Sequence, residues 1–403
     1  MKILITFLAS LVLVACGGSG GCAGTTILGV VASGSCTSTG NSAPTVATGY
    51  FIDSAVQGLK YVSGGQSGVT GLDGGFKYEV GQSITFSIGG VNLGTVAKAG
   101  AYITPVDLVS GGSITNQQVI NITSFLMSLD TNRDPMDGIQ ISPALQTAAG
   151  AWSQTNLSFE KSYNEFSTQV SNLTGLTLPT QAAAAAHLTS TLRCVQSGIF
   201  TGTFSGGESG NFGYYSDAVT GMISGAYTGT VSGIGSGAEP VSLDQQSSFV
   251  TGSAGYGAQF TGSISSTGNG KFNSLTGSWV GINKSGIFSG NRFAGDVAAK
   301  YRISGYIRTA SPDHLFYALD IYSNQSITGK LYSVTFNNVN GYLIAGTLTN
   351  NQISATASSG EKMTATMNLT TGALSQVVWK KNDVTITPLD SANSGCLLNG
   401  YQL

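Results

Sequence analysis

Two hydrophobic periods divide the chain. Apolar and polar residues alternate at every second position over most of its length, and apolar residues recur every third or fourth position over one internal block. The alternating pattern begins near Ala47. Phe76-Lys77-Tyr78-Glu79-Val80 and Ile84-Thr85-Phe86-Ser87-Ile88 alternate, and Ser67-Gly68-Val69-Thr70, Asp73-Gly74-Gly75 and Gly89-Gly90 are turn signals. About four to six short strands fit here, which predicts a small antiparallel β-sandwich over residues 47–113. Residues 114–194 read as a helical segment. Thr115 and Gln118 have the spacing of a capping box, with Val119, Ile122, Leu126 and Leu129 following at helical spacing. Ser142-Pro143 starts a second helix. A third carries the stripe Phe159, Tyr163, Phe166, Val170 and Leu173, is read as core, and ends at Gly175. A fourth opens at Thr180 and runs through a row of alanines to Leu192.

From Val195 the alternation returns, now of apolar with hydroxyl residues, broken by Gly and Asn. It predicts antiparallel strands wet on one face. The region reads as two copies, over about 198–297 and 302–391. Phe212–Asp217 with Met222–Gly225 matches Phe316–Asp320 with Ser326–Gly329. Phe260–Ser263 with Leu275–Trp279 matches Ile353–Thr356 with Leu374–Trp379. Two curled sheets or one closed barrel satisfy the pattern equally. The segments are short, irregular and without aromatic girdles, which argues against a membrane-spanning barrel. The expected fold is mainly β with a helical segment: a small N-terminal β-sandwich, an α-helical connector, and a duplicated antiparallel C-terminal region divided at 195–300 and 301–403.

The start of the chain differs from all of this. Met1-Lys2 precedes an apolar run from Ile3 to Leu13, too short to span a bilayer, and the run ends in small residues as an export signal does. Leu13-Val14-Ala15-Cys16 resembles the lipobox of bacterial lipoproteins. The resemblance implies cleavage of residues 1–15, a lipid on the Cys16 thiol and acylation of the new amino group. Gly17 in place of Asp removes the family's inner-membrane retention cue, so the outer membrane is the expected location. Several acyl chains anchor firmly, each buried methylene contributing about 0.8 kcal/mol. Residues 16–46, rich in Gly, Ser and Thr, read as a flexible tether. The Gly-x-Ser-x-Gly at Gly17–Gly21 has no strand before it and is not a nucleophile elbow.

A second resemblance lies in the sandwich. The run from Phe51 to Tyr61, with Ser67–Val96 and Ile103–Leu108, looks like an N-terminal module common in uncharacterised proteobacterial surface lipoproteins. It is more distantly similar to prealbumin-like β-domains. The match extends over roughly 49–195 and carries no functional residues across.

Composition narrows the function classes. Only 9% of the 403 residues are charged, against about 25% in ordinary globular proteins, while Gly numbers 57. The net charge is −2 and no Lys/Arg run exists, so nucleic acid is not an expected partner. Five cysteines are present. With Cys16 lipidated, Cys22, Cys36, Cys194 and Cys396 remain, an even set suited to two disulfides in an oxidising compartment. Three pairings are open; Cys22–Cys36 with Cys194–Cys396 is favoured.

Candidate chemistry is sparse. Asp130, Asn132, Asp134 and Asp137 place oxygens at near-alternate positions after a helix, as calcium loops do, but Pro135 and Ile141 stand where such a loop needs Gly and Glu. A polar turn is the competing reading. His187 and His314 lack recognisable partners, and Asp53, Asp73, Glu79 and Asp107 are scattered. Tyr214, Tyr215, Trp279, Tyr301, Phe316, Tyr317 and Trp379 are candidates for stacking on a ligand or for core. No cofactor is called for; calcium is the candidate metal, and zinc is set aside because the cysteines show no Cys-x-x-Cys spacing and only two His exist. The expected function is a non-enzymatic binding or scaffold lipoprotein of the cell envelope, touching the membrane through its anchor and an unknown protein or glycan through its β-surface. A polysaccharide-acting hydrolase or its accessory subunit, and a purely structural envelope protein, are the alternatives.

Overall fold

The computed structural model describes residues 44–229, 233–237, 247–254, 258–267, 270–293, 295, 298–309, 314–335 and 337–398. The expected signal, Cys16, Cys22, Cys36 and the expected tether up to residue 43 lie outside the described residues; the tether's last residue, Val46, already belongs to a strand.

The N-terminal module holds β1 (Val46–Phe51), β2 (Val56–Gln57), β3 (Lys60–Ser63), β4 (Gln66–Val69), β5 (Gly75–Glu79), β6 (Ile84–Ile88), β7 (Val91–Val96) and β8 (Tyr102–Ile103). They form two sheets, β5-β1-β8 and β4-β3-β6-β7. Phe51, Phe76 and Phe86 interlock between them, with ring centroids 4.8 and 5.1 Å apart in edge-to-face contacts. The sandwich is not wholly antiparallel. β1 pairs in parallel with β8, and β2 with β9 (Ile139–Gln140) from the helical segment.

Four helices follow: α1 (Gln117–Leu129), α2 (Pro143–Ala148), α3 (Tyr163–Thr174) and α4 (Gln181–Gln196). The cap of α1 is Asn116, whose Oδ1 accepts from the Gln118 and Val119 amides, not the expected Thr115–Gln118 box. Thr115 instead faces Ser113. Ser142 and Thr180 cap α2 and α4 as their sequences predict. Ser162 and Glu165 form a capping box on α3, and Gly175 ends it in the left-handed conformation. Phe159 therefore precedes α3, yet its ring lies 5.2 Å from Phe166 and 5.7 Å from Phe125. The apolar faces of α1, α3 and α4 join the module's core: Ile122, Phe125, Phe166, Val170, Leu188 and Leu192 are buried in one cluster with Phe51, Ile84 and Phe86. α4 runs past the expected end at Leu192 and carries Cys194 in its last turn.

The first copy comprises β10 (Gly198–Gly206), β11 (Gly210–Ser216), β12 (Ile223–Gly229), β13 (Gly233–Gly237), β14 (Ser247–Ala254), β15 (Gln259–Thr267), β16 (Gly270–Gly281) and β17 (Lys284–Phe293). These strands form a closed barrel in sequence order, sealed where β10 pairs with β17 from Ile199↔Phe293 to Gly206↔Gly286. The second copy comprises β18 (Tyr301–Arg308), β19 (His314–Ile321), β20 (Ser326–Val334), β21 (Val339–Thr349), β22 (Gln352–Ala357), β23 (Glu361–Met367), β24 (Leu374–Lys381), β25 (Val384–Thr385) and β26 (Asp390–Leu397). It is a nine-stranded open sheet, with β26 returning to the free side of β18. The duplication thus takes both expected forms at once, one barrel and one curled sheet. Of the matched segments, β11 with β19, β12 with β20 and β16 with β24 occupy equivalent places. Phe260–Ser263 lies in the sixth strand of its copy and Ile353–Thr356 in the fifth of the other, so that match does not hold.

The two copies pack through their first strands. Ile199, Tyr215 and Ala226 meet Tyr306, Phe316, Ala318 and Val334 in one buried cluster. The Phe316 ring lies so close to Gly213 that a Cβ there would stand 2.3 Å from it. The expected disulfide Cys194–Cys396 ties the end of α4 to β26, with Cα atoms 5.8 Å apart across 202 residues of sequence.

Candidate functional site

The alternation that builds the barrel also builds its interior. Six described strands send a ring or branched side chain inward: Phe200 and Phe204, Phe212 and Tyr214, Ile223 and Tyr227, Phe260, Leu275 and Trp279, and Phe288. Glycine stands two residues away on the same faces. A Cβ on Gly277 would come within 2.5 Å of the Phe288 ring, one on Gly290 within 2.7 Å of Phe212, and one on Gly210 within 2.8 Å of Phe204. An eight-stranded barrel is only wide enough for its own side chains. Large rings fit inside because the facing positions are bare backbone.

The rings do not fill the space completely. A cavity of about 80 Å³ remains, lined by Phe204, Phe212, Tyr214, Tyr227, Phe260, Trp279 and Phe288 with Ile223, Leu275, Ala258, Gln259 and Glu208. Tyr214 stacks on Phe260 at 5.9 Å, and Phe204 stands edge-on to both Tyr227 and Trp279 at 5.8 and 6.2 Å. Burial pushes the Tyr214 hydroxyl well above its ordinary pKa, so it stays neutral.

The rim lies at the end where β10 turns into β11 and β16 into β17. Trp279 donates its Nε1–H to the Ser205 carbonyl at 3.2 Å. Lys284 Nζ, at the start of β17, donates to Glu208 Oε1 in the adjoining β10–β11 turn at 2.6 Å. On the outer side of the same hairpin Val280, Ile282 and Ile287 are 59%, 80% and 66% exposed and sit together as an apolar tip, whereas Val219, Leu343 and Leu389 are exposed elsewhere.

The other aromatic candidates are structural. Tyr215 and Phe316 belong to the seam between copies, and Tyr301, Tyr317 and Trp379 to the core of the second. His314 is buried on β19. The calcium candidates form a turn closed on itself. Asp130 Oδ1 accepts from the Gln140 amide, Asn132 Oδ1 from the Asp134 amide, and Asn132 Nδ2 donates to Asp137 Oδ2, each at 2.9 Å. Burial raises the Asp130 pKa. Among the described residues no group of three or more His, Cys, Asp or Glu side chains is placed to hold a metal ion.

The scattered carboxylates stay apart. Asp73 and Glu79 accept backbone amides in turns, from Gly75 and Gly65, and Asp107 accepts from Thr104. Asp53 is fully buried against His187, its Oδ1 3.2 Å from Nε2, which also meets the Asp53 carbonyl at 3.2 Å. Burial works against the imidazolium, but the Asp53 charge and hydrogen bonds outweigh it, and the His187 pKa stands above its ordinary value. The pair borders a second cavity of about 220 Å³ between α4, the module and both copies, with the disulfide in its wall. No signal in the sequence joined these two residues, which lie 134 positions apart.

The chain matches no protein-family model, and no curated protein or solved structure is significantly similar to it.

Proposed function

We propose that this chain is an envelope lipoprotein, anchored at Cys16 and expected in the outer membrane, that binds a partner through the free end of its β-barrel. The observation that carries the binding half is the aromatic cavity opening beside the exposed Val280, Ile282 and Ile287. Exposed apolar residues gathered at one loop end, next to a cleft walled by rings, are what recognition surfaces use. Charge is spent elsewhere: the buried carboxylates Asp53, Asp320 and Glu361 each face one base, His187, Arg302 and Lys381, at separate places in the fold. The anchoring half is supported by Leu13-Val14-Ala15-Cys16 alone.

The two halves are tested separately. Cells fed radiolabelled palmitate should label the chain and lose the label on Cys16→Ala; an unlabelled wild type would remove the anchor. Purified protein should leave a panel of envelope glycans and peptides intact. Turnover of any of them would replace binding with the hydrolase alternative.

A further inference from the structure

We infer that the loop joining α1 to β9 binds a calcium ion, with Asp130 and Asp137 as its two charged ligands. The fold compensates its other buried carboxylates. Asp53, Asp320 and Glu361 each face a base, and Asp107 accepts from both the amide and the hydroxyl of Thr104. Asp130 is placed as deeply, at 4% exposure. The charge that acts on it is a second carboxylate. Burial first, and the negative charge of Asp137 with it, push the Asp130 pKa up, while backbone amides of Gln140 and Asp134 pull it down.

Each of the two carboxylates keeps one oxygen without a donor. Asp130 Oδ1 accepts from the Gln140 amide and Asp137 Oδ2 from Asn132 Nδ2, both at 2.9 Å. Asp130 Oδ2 and Asp137 Oδ1 are buried and have no hydrogen-bond partner among the described residues. Nor does any described Lys, Arg or His stand within ion-pair distance of either side chain. One buried charged acceptor without a partner is costly, and two of like sign in one loop cost more. A cation bound to both removes the two costs together.

Calcium fits what the loop has to give. Two carboxylates fall short of a three-residue His, Cys, Asp or Glu cluster, but calcium fills its shell of about six to eight oxygens with carbonyls and water as well. Ile141 stands where a bidentate Glu would be, which places the loop with the weak sites of extracellular modules, at about 10⁻⁴–10⁻³ M. The ion acts on the link between helices and sandwich. Gln140, held by Asp130, belongs to β9, which pairs with β2, and the Ile139 and Ile141 amides donate to the Ala55 and Gln57 carbonyls.

The test uses the whole chain carrying Cys16→Ser, stripped of metal with a chelator. Calcium chloride at about 5 mM, several times the weak end of that affinity range, should raise the melting temperature by about 2–4 °C. The Gln140 and Ile141 amides should exchange with deuterium more slowly. Magnesium chloride at the same concentration should do less, and an equal magnesium response overturns the assignment to calcium. Asp137→Asn keeps the side chain's shape and removes one charge. It should weaken calcium by about tenfold or more, the loss that follows even when a group one shell further out is removed. In chelator it should melt at or above the wild type, since like charges no longer meet, and in calcium below it. Asp130→Asn should lose the calcium response in the same way; if it does not fold, the Asp137 variant decides alone. No shift of the wild type, or a shift that survives Asp137→Asn in full, overturns the site. A penalty for Asp137→Asn that is equal in chelator and in calcium also overturns it, leaving the carboxylates to the turn. The barrel end and the anchor take no part, so the ion can fail while the binding lipoprotein stands.

Discussion

The two C-terminal copies start alike and finish differently. In each, the first strand is paired on both sides, β10 by β11 and β17, β18 by β19 and β26. The difference lies at the eighth strand. β17 is ten residues long and pairs with β16 from Lys284 to Asn291 while also closing on β10. β25 is two residues long and pairs only with Lys380 and Lys381. Asn382 and Asp383 turn the chain tightly, both at positive φ. Pro388 then interrupts the run, and a residue without an N–H cannot extend a ladder. The chain leaves the edge and comes back as β26.

The interiors differ as well. The second copy is filled by Tyr301, Tyr317 and Trp379 interleaved with Ile303, Leu319, Leu331, Met363, Met367 and small alanines, aliphatic side chains that adapt to the space the rings leave. The barrel is filled by flat rings resting on glycine, and rigid plates leave a gap that branched aliphatics would close. Closure over rings that face bare glycine leaves a lumen; an open sheet whose rings are interleaved with aliphatic side chains makes a core.

The disulfide holds the two copies in one frame with the helices, and its loss should be the largest effect. Cys194→Ser with Cys396→Ser frees a loop of 202 residues and should cost about 4–5 kcal/mol by loop entropy, read from urea midpoints with and without reductant. A change below experimental error would mean that packing alone sets the frame. Next, Phe288→Ala and Trp379→Ala should each cost about 3–5 kcal/mol in the same measurement. At the seam, Gly213→Ala drives a methyl into the Phe316 ring and should cost about 1–3 kcal/mol; a neutral outcome would show that the copies pack loosely.

Smaller effects sharpen the contrast at the edges. Amides of Leu374–Val378 on β24, beside the short β25, should exchange with deuterium faster than those of Thr201–Ser205 on β10, which are held on both sides. Equal protection would mean that the second copy closes in solution. The smallest effect concerns pH. The folded His187 pKa is raised, so its contribution to stability is complete below the unfolded value of about 6.5 and fades as pH rises through the folded one. Wild type should lose stability relative to His187→Gln over that rise. Parallel stability curves for the two proteins would show that the Asp53 pair does not couple to folding.

Much of the fold was legible because it is local. Ser142, Thr180 and Gly175 mark helix ends by their own chemistry, and period-two alternation marks strands wherever it occurs. The Asn116 cap was missed because Thr115 and Asn116 offer competing caps one residue apart. The barrel's filling was visible in principle. Glycine and ring alternate two apart in Phe200-x-Gly202-x-Phe204, Gly210-x-Phe212 and Gly286-x-Phe288-x-Gly290, a small/large rhythm suited to a narrow interior. The sequence by itself determined the strands and the helices, and offered Cys194 and Cys396 as a pair. Tertiary structure alone decided that one copy closes, that its rings enclose a lumen, and that Asp53 meets His187. Those outcomes depend on which distant edges and faces meet, and backbone hydrogen bonding is the same for every partner the chain could choose.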